Sequence, residues 1–170
     1  MNPDFRPDIA PARTDAPFRL QSAIIDLLLS GAESQVVLDE VCRLVEAEVA
    51  DAVCSFMTLD DEGRALWVKS APSLPAEARE AVDGLLPGEF AGSCGTAVFT
   101  GEPAIVNDTM IDDRWADMRD FAQRFGVLAA WSVPIYAAGD RPVGSFAVSR
   151  FVPGAPTAQD RALMSTAGHI

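Results

Sequence analysis

Residues 92–135 read GSCGTAVFTGEPAIVNDTMIDDRWADMRDFAQRFGVLAAWSVPI, and this stretch decides the fold. It opens on a glycine-rich corner leading into a small helix. A short apolar strand over 104–107 runs into Asn107 and Asp108. Residues 112–125 then read as a helix carrying Trp115 and Phe121. Gly126 stops it, since glycine readily takes the left-handed backbone that ends a helix. Two strong strands follow, over 127–137 with Trp131-Ser132-Val133-Pro134-Ile135 at its centre, and over 143–152. The linker Ala138-Gly139-Asp140-Arg141-Pro142 predicts that they pair antiparallel.

Upstream, residues 18–31 place Phe18, Ile24, Ile25, Leu28 and Leu29 on a wide helical face that ends at Gly31. Ser34 is a candidate cap for a second helix, in which Val37, Val41, Leu44, Val45 and Val49 share one side. Residues 52–59 and 65–70 read as a hairpin around Asp60-Asp61-Glu62-Gly63. Residues 74–86 read as a helix started by Ser73-Leu74-Pro75 and stopped by Pro87-Gly88. At the other end, Pro156-Thr157-Ala158-Gln159-Asp160 pairs a threonine cap with an acidic residue three places on. The helix so opened is expected to run into Ile170, which reads as a truncated last helix of a longer chain. Hairpin strands with helices on the faces predict an α/β three-layer domain, a central antiparallel sheet of five to six strands. The expected division is a tail over 1–17 and one domain over 18–170.

The chain has 170 residues, enough for one domain with a sizeable core, and 49% of them are hydrophobic. A net charge of -12 repels phosphate backbones and anionic lipid, so neither nucleic acid nor a membrane is expected as a partner. No apolar run approaches the roughly 20 residues that cross a bilayer. The proline-rich start lacks the apolar centre of a signal peptide. Cys42, Cys54 and Cys94 form no CxxC pair and read as reduced thiols, which places the chain in the cytoplasm.

Three elements, Gly92-Ser93-Cys94-Gly95-Thr96-Ala97, Asp113-Arg114-Trp115 and Trp131-Ser132-Val133-Pro134-Ile135, together resemble the GAF domain, a small-molecule sensor module of bacterial signalling proteins. The resemblance covers residues 18–170. It implies a ligand cavity walled by aromatic and amide groups and an output domain beyond Ile170: a histidine kinase, a cyclic-di-GMP enzyme or a transcription regulator. The surplus apolar faces of residues 18–49 and the open-ended last helix predict a homodimer formed through the terminal helices.

Aromatic residues are the first candidates for the cavity, because small-molecule sites are mostly apolar with a few placed polar groups. Trp67, Phe90, Trp115, Phe121 and Trp131 are the expected aromatic contacts, with Cys94, Asn107, Asp108, Ser132 and Ser145 beside them. Trp115 and Trp131 are preferred, each having an indole N–H free to bond a ligand. Backbone amides over 92–96 could hold an anion. Each of these residues also has a plain reading as core or turn.

Other chemistry finds less footing. Cys94 would need a helix N-terminus or a basic partner to become a nucleophile; the glycine-rich corner could supply the former, but the single histidine, His169, lies at the far end of the chain. Family members that reduce free methionine sulfoxide carry their catalytic cysteine downstream, yet residues 107–132 contain none. Biliprotein members attach a chromophore at a Cys-His pair, absent here. Cyclic-nucleotide binders show Asn-Lys where this chain has Asn107-Asp108. The carboxylates Asp108, Asp112, Asp113, Asp117 and Asp120 alternate with Arg114 and Arg119, as on a solvated helix face. No metal, cofactor or catalytic residue is expected. The open readings are a ligand-binding sensor, a ligand-free dimerisation scaffold, and a methionine-sulfoxide-reductase-like enzyme.

Overall fold

Pro17 sits in the first turn of helix α1 (Ala16–Leu29), where its missing N–H leaves no bond unmade. This computed structural model describes residues 15–137 and 139–169. Most of the expected tail lies outside those residues, and Ala16 and Pro17 already belong to the helix. Gly31, at φ 73°, turns the chain into α2 (Ser34–Glu48). Ser34 is the first helical residue there; Glu33 occupies the cap position without a side-chain bond. Val37, Val41 and Val45 of α2 are buried, as their spacing predicts; in α1 the buried residues are Ala16, Leu20 and Ile24, while Phe18, Ile25, Leu28 and Leu29 of the expected face are exposed.

Five strands form one antiparallel sheet: β1 (Ala52–Leu59), β2 (Leu66–Ser70), β3 (Ala104–Val106), β4 (Ala129–Tyr136) and β5 (Pro142–Arg150), in the order β2-β1-β5-β4-β3. The expected pairing of the last two strands holds, with Trp131 opposite Val148 and Ser132 opposite Ala147. Strand β5 also pairs with β1, setting Ala147 opposite Ser55 and Ser145 opposite Met57. Because side chains alternate between faces, this register sorts the residues into two sets. Cys54, Phe56, Trp131, Phe146 and Val148 pack with α1, α2 and the last helix, α6 (Ala158–Ala167). Ser55, Met57, Ser132, Ser145, Ala147 and Ser149 lie on the other face, beneath α4 (Gly92–Thr100).

Thr157 caps α6 as its sequence predicts. Its hydroxyl accepts from Asp160 N at 3.1 Å, while Thr157 N donates to the Asp160 carboxylate at 2.8 Å. The helix ends at Ala167, short of the expected run, with Gly168 N donating to Met164 O; Ile170 lies outside the described residues.

Two expected helices are interrupted. Only Ala76–Glu80 of 74–86 is helical (α3), because the following residues bond to β2 instead. Leu66 N donates to Leu85 O, Gly84 N to Leu66 O, and Val68 N to the Asp83 carboxylate. These bonds occupy an edge that would otherwise be open to another strand. Residues 112–125 divide into a 3-10 turn over Asp113–Met118 and α5 (Arg119–Phe125), which ends at Gly126 as expected.

Candidate functional site

The face beneath α4 is built from small side chains. Gly92, Ser93, Gly95, Thr96 and Ala97 are all buried, which lets the helix lie close against β4 and β5. A β-carbon at Gly95 would come within 2.5 Å of the Ala91 side chain. The contact between layers is polar at one point, where Cys94 Sγ lies 3.4 Å from Ser132 Oγ.

Beside this contact is a hollow of about 50 Å³. Its floor is Ser55, Met57 and Ser149 of the sheet, and one wall is Gly92, Ser93 and Cys94. Trp115, Met118 and Phe121 close it from the 113–125 segment, with Leu74, Val82 and Leu85 from the other side. None of the residues around it is charged. Gly92 matters here for two reasons. Its φ is 62°, which disfavours any side chain, and a β-carbon would lie 2.7 Å from Met118 Sδ and 3.7 Å from Trp115 Cε2.

Trp115 is 4% exposed, and its ring packs tilted against Phe121 at 6.3 Å between centroids. Its Nε1 is buried with no hydrogen-bond partner. An N–H withdrawn from water and left unmatched costs about 1–3 kcal/mol, so most folded proteins avoid one. The Ser145 hydroxyl is likewise buried outside hydrogen-bonding geometry, near the Cys94 thiol. Burial pushes that thiol's pKa up, and the hydroxyls of Ser132, Ser145 and Ser93 oppose the rise only in part. Cys94 is therefore held as the thiol, the opposite of what an activated nucleophile needs.

Among the expected site residues, Cys94, Trp115 and Phe121 meet at the hollow, with Ser132 and Ser145 adjoining Cys94. Trp131 does not join them. It faces α1, α2 and α6, fully buried, and its Nε1 donates to Gly154 O at 3.0 Å. Its N–H is thus engaged, and strand alternation separates it from Ser132. Trp67, on the edge strand β2, is half-exposed, with Gly84 as a neighbour; Phe90 is exposed ahead of α4. Neither borders the hollow. Asn107 and Asp108 serve a turn: Asn107 O accepts from Gly154 N, and the Asp108 carboxylate accepts from Met110 N.

The sequence reading missed Ser55, Met57, Ser149 and Met118. A signal for Ser149 was present, since serine and alanine alternate with phenylalanine and valine along β5. Met118 carried none, because its position depends on the break between the 3-10 turn and α5.

Arg114 forms an ion pair with Asp112. The guanidinium donates to both Asp112 oxygens, at 2.9 and 2.6 Å, and to Ile105 O at 2.7 Å, which ties the 3-10 turn to strand β3. The Arg114 hydrogen bond holds the Asp112 carboxyl below its ordinary pKa, and Asp112 raises that of Arg114 in return.

Two larger grooves lie on the opposite face. One, of about 510 Å³, runs between α6 and strands β3 and β4, past Ile105, Val133, Tyr136 and Met164. Another, of about 530 Å³, separates α1 from α6 at Ile24, Ile25 and Leu28. His169 borders both, with Nδ1 against Ser165 O. Their size exceeds that of the hollow, yet none of the buried unpartnered polar side chains among the described residues borders them. The hollow beside Trp115 is therefore the stronger candidate.

Comparison with known proteins agrees with this architecture. Residues 31–170 match the GAF domain family. A methyl sulfide methyltransferase-associated sensor of Methanosarcina acetivorans is 30% identical over 128 residues, 75% of this chain. The chain spans only 13% of that protein's length. A GAF sensor protein from Burkholderia vietnamiensis superposes with a TM-score of 0.71 at 20% identity, covering 91% of this chain and 89% of the other. The fRMsr of Staphylococcus aureus, in its reduced form, superposes at 0.69 with 17% identity and 95% coverage of both chains. With the family pattern matched across the sheet, the α4 corner and the last helix, the chain belongs to the GAF domain family.

Proposed function

We propose that this domain is the non-catalytic sensing part of a signalling protein, and that a small cytoplasmic molecule binds between the sheet and α4, beside Trp115. The observation carrying this reading is the buried, unpartnered indole N–H at the hollow. A ligand supplying its acceptor would relieve that cost and widen the space by moving Met118 and Phe121. Phe121, Cys94, Ser132 and Ser145 are the remaining contacts in this proposal.

The sheet offers a route for the signal. Ser132 touches Cys94 on one face, while its neighbour Trp131 packs among α1, α2 and α6 on the other. Helix α1 leaves Phe18, Ile25, Leu28 and Leu29 exposed, which supports a homodimer through the terminal helices. A ligand-dependent change of about 1–3 kcal/mol in that packing would alter output roughly 5- to 150-fold. The relative in which this segment is a small fraction of the chain supports an output domain in the same polypeptide: a histidine kinase, a cyclic-di-GMP enzyme or a transcription regulator. No helix among the described residues is long and apolar enough to cross a membrane.

A reductase reading rests on likeness of fold to fRMsr, and the lack of any cysteine over residues 107–132 weighs against it. Thermal melting and tryptophan fluorescence across a metabolite panel test the proposal. A saturable response with a rise of several degrees in Tm is expected, weakened in Trp115→Phe. A flat response across the panel would favour a ligand-free scaffold. For the dimer, light scattering that gives a monomer at high micromolar concentration would overturn that part.

A further inference from the structure

The walls of the hollow also bear on what enters it. We infer that the ligand is uncharged and presents an oxygen acceptor, such as a carbonyl, to the Trp115 indole N–H from a small apolar frame. This rests on the proposed site and narrows its chemistry.

Three observations carry the inference. First, the surrounding residues are apolar, aromatic, thioether, thiol or hydroxyl, without a carboxylate, ammonium or guanidinium. An ion placed there would lose its hydration without a side chain of opposite charge among those residues, which is costly for a buried charge. Arg119 has a buried, unpartnered Nε, but it is not among the residues around the hollow. Second, the unmatched group in the wall is a donor and only a donor, since indole nitrogen cannot accept. The ligand must therefore bring the lone pair. Third, the pyrrole edge of that indole faces Gly92, where Cε2 would be 3.7 Å from a β-carbon that glycine omits. Met118 occupies the place that a side chain at Gly92 would take, and the thioethers of Met57 and Met118 offer adaptable apolar surface to the frame.

The experiment follows the three indole N–H signals in a proton–nitrogen correlation spectrum of the whole chain, with Trp115→Phe identifying the Trp115 signal by its loss. Butan-2-one, propionate and sec-butylammonium are close in shape and differ in charge. Butan-2-one is expected to shift the Trp115 signal saturably and leave those of Trp67 and Trp131 in place. Its binding, followed by methyl signals of the methionines, should weaken roughly 3- to 10-fold in Trp115→Phe, the equivalent of one lost hydrogen bond. The retained Trp67 and Trp131 signals confirm that the variant is folded. A Trp115 response to propionate or sec-butylammonium at lower concentration than to butan-2-one would overturn the uncharged assignment while keeping the site. Methyl shifts with the indole signal unmoved would overturn the acceptor assignment alone. No response at Trp115 or at the methionine methyls to any probe would overturn both this inference and the proposed site.

Discussion

The two faces of the sheet are made from alternate residues of the same strands, yet they are built to different ends. Toward α1, α2 and α6 the strands send Phe56, Trp131, Phe146 and Val148, all buried, with Phe56 and Phe146 tilted at 4.7 Å. The polar atom in that set, Trp131 Nε1, has its acceptor in Gly154 O. Toward α4 they send Ser55, Ser132, Ser145, Ala147 and Ser149, and here lie the hollow and two of the buried polar atoms without partners, Trp115 Nε1 and Ser145 Oγ. The difference is between a face whose large aromatic side chains are packed and hydrogen-bonded and one that leaves two buried polar atoms unmatched. A GAF domain can carry both because period-two alternation lets one strand serve two layers independently.

The sharpest way to break this comparison is at Trp131. Replacing it by alanine should lower unfolding free energy by about 3–5 kcal/mol in denaturant titration, the range for emptying a filled aromatic site. A loss below about 1 kcal/mol would mean that the helical face is not the filled one. Next comes Gly92→Ala, which forces a side chain onto left-handed backbone and into Met118. A loss of about 1–2 kcal/mol is expected, with a shift of the Met118 methyl signal. An unchanged stability and spectrum would show that the hollow has slack at that wall.

A smaller effect belongs to the tie between the 3-10 turn and strand β3. The Asp112 carboxyl is held below its ordinary pKa by Arg114, so its stabilisation is present above the unfolded value and is lost as pH falls through the lowered folded value. The pair is partly exposed, which limits it to about 1 kcal/mol. The stability gap between wild type and Asp112→Asn should be greatest at neutral pH and close in acid. A gap that widened on acidification would contradict the assignment. The smallest effect is expected at Ser145→Ala, which removes an unpartnered hydroxyl. Stability should stay within about 0.5 kcal/mol or rise. A loss above about 1.5 kcal/mol would reveal a bond to that hydroxyl and remove one of the two vacancies from the comparison.

Much of the fold was legible because local rules and tertiary structure agreed. The β4–β5 pairing followed from two long apolar strands around a glycine–proline turn. The stop at Gly126 and the Thr157 cap followed from backbone and side-chain chemistry confined to one turn. Where distant atoms competed for the backbone, the local reading failed: residues 82–86 read as helix, but the β2 edge claimed Asp83, Gly84 and Leu85 through hydrogen bonds. At the candidate site, Cys94, Trp115 and Phe121 of the expected residues border the hollow, while Trp67 and Phe90, chosen for being aromatic, lie outside it. Aromatic identity does not tell which layer a side chain enters.

By itself, the sequence determined the family, the order of elements and the uncharged character of the 92–98 corner. These depend on residue type and near spacing. Tertiary structure alone decided that Trp131 and Trp115 stand on opposite sides of the sheet, that Met118 closes the hollow, and that one indole N–H is satisfied while the other is not. A hydrogen bond or a void between residues dozens of positions apart is set by how layers pack, and no local pattern encodes that distance.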